Sequence, residues 1–170
     1  MFDRILVAVD HDPAMAQEVF SEALALAQTH QASLQIVQVL YPLKGTYSDP
    51  LYLTLEGSLS TLNTQAFGAY VSQWQKQEQQ SLAKLQGYLE AAQAAGVTAL
   101  TSQRMGEPGR EICALAQEWP ADLIVLGRRG MKGVGELLLG SVSNFVMHRA
   151  SCAVLIVQGK VAEPVSVGSH

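Results

Sequence analysis

Cysteine is nearly absent from this 170-residue chain. Cys113 and Cys152 are the only two, and neither a CxxC pair nor a histidine cluster accompanies them. That excludes a disulfide framework and a zinc site of the usual spacing, and it reads as two idle thiols in a reducing compartment. Charge is scarce too, at 15% of residues against 48% apolar. Such a balance is not that of a disordered chain, and it suits a domain whose strands are buried on both faces. The small charge surplus is acidic, with a formal net charge of −4. An acidic surface repels phosphate backbones, so no nucleic-acid partner is expected. No apolar stretch approaches the ~20 residues of a membrane span. The short apolar run near the N-terminus carries charge on both sides, unlike a secretory leader. The expected location is therefore the cytoplasm, with no membrane association.

What is present is an alternation of short β-branched runs with helical patterns. Ile5 to Val9 is a continuous apolar run ending at Asp10, as a buried parallel strand should be. Asp12 before Pro13 predicts a helix start, and Ala16, Val19, Phe20, Ala23 and Ala27 recur at helical spacing until the pattern fades near His30. Leu34 to Leu40 is a second strand. Residues 42 to 63 are broken by Pro42, Gly45, Pro50 and Gly57 yet are rich in leucine and tyrosine, which predicts an inserted loop or flap. A long helix follows, with Phe67, Tyr70, Val71, Trp74, Leu82, Leu85, Leu89 and Ala92 marking one face and Gly96 as its stop. Val97 to Arg104 alternates like a strand near a sheet edge. Gly106 and Pro108 turn into a helix with Ile112, Leu115 and Ala116 inward. Asp122 to Leu126 is a fourth strand, a helix runs from about Ser141 to His148, and Ala153 to Val157 is the fifth strand. Strands alternating with helices imply an α/β fold with an open, five-stranded, doubly wound parallel sheet. One domain is expected over residues 1–158, with 159–170 as a flexible tail. Ligands of such sheets sit at the switch point, outside the carboxyl ends of the strands.

The chemically informative stretch runs from Gly127 to Val157. Gly127, Gly130, Gly133, Gly135 and Gly140 lie between a buried strand and a helix, and Gly140-Ser141-Val142-Ser143 opens that helix. Glycines let backbone N–H groups approach an anion, and a helix N-terminus favours phosphate. Arg128, Arg129 and Lys132 add positive charge to the loop. A Walker A loop is absent, and so is a GxGxxG fingerprint, because Leu138 stands where the third glycine belongs. A flexible connection with a serine cap is the alternative that composition alone leaves open.

The spacing G-x2-G-x9-G-S at Gly127, Gly130, Gly140 and Ser141 resembles the nucleotide-binding signature of ATP-binding universal stress proteins. The likeness extends to the strand ending at Val9-Asp10, the strand ending near Val39, the Gly106-x-Pro108 turn, the DLIVLG strand and the final AVLIV strand. It covers roughly residues 1 to 158 and is weakest at 42 to 75. The resemblance implies a Rossmann-like sheet of order 3-2-1-4-5, with the first and fourth strands adjacent. It implies that Asp10 meets the ribose hydroxyls or the adenine edge and that the backbone of Val39 reads adenine. Gly127 and Gly130 would line the phosphate path, with Arg128 as electrostatic support, and Gly140, Ser141, Val142 and Ser143 would hold the phosphates. The implied ligand is ATP, or AMP or another adenine nucleotide, with Mg²⁺ shared with the phosphates.

The implied role is a regulatory stress-response module read by a protein partner. A slow ATPase or nucleotidyl-transferring enzyme on the same scaffold is the alternative. No catalytic residue and no protein metal site is expected. His11 and His148 read as surface or helix-end residues, and Glu136 is not expected to act as a base. The resemblance puts the Ala153–Val157 strand at a sheet edge. Its apolar edge then implies a homodimer through that strand.

Overall fold

Ile5, Leu6 and Val7 are fully buried, which requires cover on both faces of the strand that carries them. A computed structural model supplies that cover. The residues described are 1–41, 61–128 and 140–158, with backbone alone over 61–67. The strands are β1 (Arg4–Ala8), β2 (Ser33–Leu40), β3 (Ala99–Met105), β4 (Leu123–Arg128) and β5 (Ala153–Gln158), all parallel and ordered β3-β2-β1-β4-β5. The sheet order and the α/β class expected from the sequence are those observed.

Four described helices connect the strands: α1 (Pro13–His30), α2 (Thr61–Ala94), α3 (Pro108–Glu118) and α4 (Ser141–Arg149). Alternation along the strands sends side chains to opposite faces and so builds two cores. Ile5, Val7, Leu34, Ile36, Leu123 and Val125 pack with α1 and α2. Leu6, Val37, Val39, Ile124 and Leu126 pack with α3 and α4. The second core is tight where Gly109 of α3 meets α4, since a β-carbon on Gly109 would stand 2.7 Å from the Phe145 ring.

Helix starts follow the local chemistry. Asp12 caps α1 by accepting from the Met15 N–H at 2.9 Å, with proline in the first turn. Glu107 caps α3 by accepting from the Gly109 and Arg110 N–H groups. Two expectations need correcting. Helix α2 begins at Thr61, so residues 61–63 are helical rather than loop: no proline or glycine lies between Gly57 and Gly68 to stop the helix from extending. Leu82 is 51% exposed, and Ser81 takes the buried position with Leu85 and Ala92. At about 100° per residue, Leu82 falls at the margin of the stripe that those residues define. Residues 42–60 of the expected flap and the tail from 159 lie outside the described residues.

Candidate functional site: a notch above the shortest strand

The ends of three strands define the site. Ala8, the last residue of β1, pairs with Val37 on one side and Leu126 on the other. Strand β2 runs on to Leu40 and β4 runs on to Arg128. Among the described residues the carboxyl edge of the sheet is therefore notched at β1, at the switch point between β1 and β4. Val9 forms its floor, its N–H donating to the Val37 carbonyl at 2.9 Å.

Val39 forms one wall. Backbone groups in a strand alternate sides, and Val37 faces β1 while Leu40 faces β3, where its carbonyl accepts from the Gly106 N–H at 3.0 Å. The N–H and C=O of Val39 therefore point toward the notch, past the last rung of β1. Gly127 and Arg128 form the other wall, opposite Val157 and Gln158 of β5. Both are half-buried. The side of Gly127 where a β-carbon would stand faces α1, not the notch.

Asp10 sits half-buried where the chain leaves β1. Its Oδ1 accepts from the His11 N–H and, at 3.3 Å, from the Asp12 N–H, which fixes the carboxylate to its own loop. Beneath that loop lies the buried amide of Gln38, whose Nε2 donates to the Asp10 carbonyl at 3.4 Å.

Helix α4 returns from the carboxyl edge of the sheet, so its N-terminus lies at the same edge as the notch. Its first residues are Ser141, exposed, and Val142, half-buried. Gly140 is the N-cap in extended conformation, and among the described residues no side chain caps the helix, unlike α1 and α3. The Asn144 N–H already bonds the Gly140 carbonyl, so the first three N–H groups, from Ser141 to Ser143, have no partner within the helix. The Ser143 hydroxyl is buried, the residue being 1% exposed, and donates to the Gly140 carbonyl at 3.0 Å, within the first turn of the helix. Gly130 lies outside the described residues, as do Arg129, Lys132, Gly133, Gly135 and Glu136.

Cys113 and Cys152 are free thiols, and burial pushes both above the usual thiol range, which keeps them protonated and unreactive at neutral pH. His11 and His148 are exposed. No group of three His, Cys, Asp or Glu able to hold a metal occurs among the described residues. No described helix is long and apolar enough to cross a membrane. Sequence reasoning passed over Gln38, which stands among isoleucines and valines as one more strand residue. Only its alternation in phase with the buried Leu34, Ile36 and Leu40 signals an amide turned into a core.

Comparison with known proteins agrees with the fold. The model of the universal stress protein family matches residues 1–158. The universal stress protein Sll1388 of Synechocystis is 38% identical over 160 residues, covering 92% of this chain and 98% of that protein. The solved universal stress protein UspA of Lactobacillus plantarum is 28% identical with a TM-score of 0.60, covering 91% of this chain and 97% of its own. A solved universal stress protein in complex with cAMP is 26% identical with a TM-score of 0.61, covering 94% and 99%.

Proposed function

The chain belongs to the universal stress protein family, and on that premise we propose that it binds an adenine nucleotide, ATP foremost, in the notch above β1 and works as a regulatory module. The observation that carries this reading is the uncapped N-terminus of α4 at the same sheet edge as the notch. Two other helix starts have carboxylate caps, and here, among the described residues, no side chain takes up the first three N–H groups, which suits an incoming anion. The related structure with bound cAMP supports an adenine ligand.

In this reading the base lies against the Val39 backbone, Asp10 meets the ribose, and the phosphates pass Gly127, Arg128 and Gly130 to Gly140, Ser141, Val142 and Ser143. A Mg²⁺ ion would come with the phosphates and stay largely hydrated, as that ion commonly does in nucleotide sites. It would neutralise phosphate charge, while the N–H groups of the chain orient the oxygens. The bound state would then be read by a protein partner, with a second copy of the chain paired at β5.

The test is calorimetric titration with ATP of the parent and of Gly140→Val. The backbone at Gly140, φ −60° and ψ 156°, is one that any residue adopts, and the loss of the cap costs about 0.5–1 kcal/mol. A branched side chain beside the three N–H groups is expected to abolish ATP binding. Equal affinity in the two proteins would remove the phosphates from this place.

A further inference from the structure

Gln38 is 2% exposed on a strand face otherwise formed by Leu34, Ile36 and Leu40. An amide there is not accounted for by packing. Its Nε2 lies 3.4 Å from the Asp10 carbonyl and 3.4 Å from His11 Nδ1, so it reaches from β2 to the loop that follows β1. Its Oε1 is buried with no hydrogen-bond partner among the described residues. A buried acceptor without a partner costs stability. The amide is thus retained at an energetic disadvantage, and what it holds is the Asp10–His11 peptide.

The consequence is geometric. The carboxylate of Asp10 is tied to its own loop by the N–H groups of His11 and Asp12. The loop in turn is tied to β2 by Gln38. The next residue, Val39, turns its backbone into the notch. One dipeptide of β2 thereby sets both the wall against which a base would lie and the height of the carboxylate beside it.

We propose that Gln38 is a positioning residue for sugar recognition: through its hold on the Asp10–His11 peptide it presents Asp10 to the ribose hydroxyls and makes the site prefer ribonucleotides over 2′-deoxyribonucleotides. This rests on the nucleotide reading above and names the selectivity of that same site. Loss of the amide leaves Asp10 in place chemically but removes one tie on its loop, so the contact most sensitive to position, a hydrogen bond to one hydroxyl, fails first.

The experiment measures binding of ATP and of 2′-deoxy-ATP to the full chain by calorimetry, together with the thermal midpoint, for the parent and Gln38→Met. The parent is expected to favour ATP by roughly tenfold, the scale of one hydrogen bond to a charged group. Gln38→Met is expected to melt at or above the parent midpoint, because the orphaned acceptor is gone, while its ATP preference falls toward one. A purely structural amide gives the opposite pattern: a lower midpoint with the preference intact. That pattern, or a parent without preference, overturns the inference and leaves the nucleotide reading standing. A parent that binds neither nucleotide overturns both. Gln38→Leu, branched where methionine is not, is the second variant should Gln38→Met fail to fold, with the same expected loss of preference.

Discussion

Met15 occupies the space that a side chain on Gly127 would need. A β-carbon at Gly127 would lie 2.6 Å from both Cγ and Sδ of Met15 and 3.1 Å from Cγ2 of Val19. The first glycine of the motif thus has a packing reason, the seating of α1 on β4, besides any part in the phosphate path. Gly127→Ala is expected to destabilise the fold by about 1–3 kcal/mol through overpacking. Met15→Ala in the same chain makes room and should recover part of that loss, a coupling that a double-mutant cycle in urea measures. Additive losses would show that the two residues do not share this space.

Asp122 ties three strands together. Its Oδ2 accepts from the Asp3 and Arg4 N–H groups at 2.9 Å each, its own N–H donates to the Arg4 carbonyl, and its carbonyl accepts from Ala153. The two backbone hydrogen bonds hold its carboxyl below the usual carboxylate range. A lowered folded-state pKa means stability that is fully present above the unfolded value, near 3.9, and is lost as the pH falls through the folded value. Asp122→Asn should therefore melt lower than the parent at pH 7, and the gap should narrow below about pH 4. The group is exposed, so the effect is modest. Thermal melts of both proteins from pH 7 to pH 2.5 check it, and a gap constant with pH would remove the carboxylate's charge as the cause.

Much of this architecture was legible because buried parallel strands read as unbroken runs such as Ile5–Val9 and Leu123–Leu126, and because Asp12-Pro13 marks a helix start. What stayed hidden depends on contacts between distant segments. Asp122 looked like the first residue of a strand, and its bonds to residues 3 and 4 span the chain. The hydrogen bond from the Ser143 hydroxyl to the Gly140 carbonyl is set by the turn at the helix start, which the residue types do not record. Ser81 rather than Leu82 is buried because the stripe of α2 is set by what it packs on, which sequence spacing fixes only to within a residue. The notch itself is a matter of strand lengths: β1 stops at Ala8, and apolar runs do not record where a neighbour continues alone.

Strand β5 lies at the edge of the sheet, with Leu155 37% exposed. An apolar edge with open backbone groups favours pairing with another chain. We expect an antiparallel two-fold pairing of β5, giving twice the 18.3 kDa of one chain by light scattering. Near a two-fold axis a residue meets its own copy, so Leu155→Lys would bring two like charges together and should shift the protein toward monomer. A parent mass of one chain at micromolar concentration would dismiss the pairing.

Hydrolysis of a bound ATP is expected to be slow. Fast phosphoryl transfer needs a metal clamp, neutralised charge and a residue that positions the attacking group. Arg128 and a Mg²⁺ carried by the phosphates would supply charge, but among the described groups at the notch nothing is placed to orient the attacking water. The N–H groups of Ser141, Val142 and Ser143 would hold phosphate in the ground and transition states about equally, and uniform binding does not speed a chemical step. Asp10 has one carboxylate oxygen engaged by two N–H groups of its own loop, and the Ser143 hydroxyl is engaged by the Gly140 carbonyl. A long-lived bound state is what a partner-read module requires. Steady-state phosphate release by the pure protein, with Gly140→Val as the control for contaminants, should fall well below the ~1 to 10³ per second common among enzymes. A rate within that range that disappears in Gly140→Val would replace the regulatory reading with that of an ATPase, since only an enzyme would lose fast turnover together with its phosphate site.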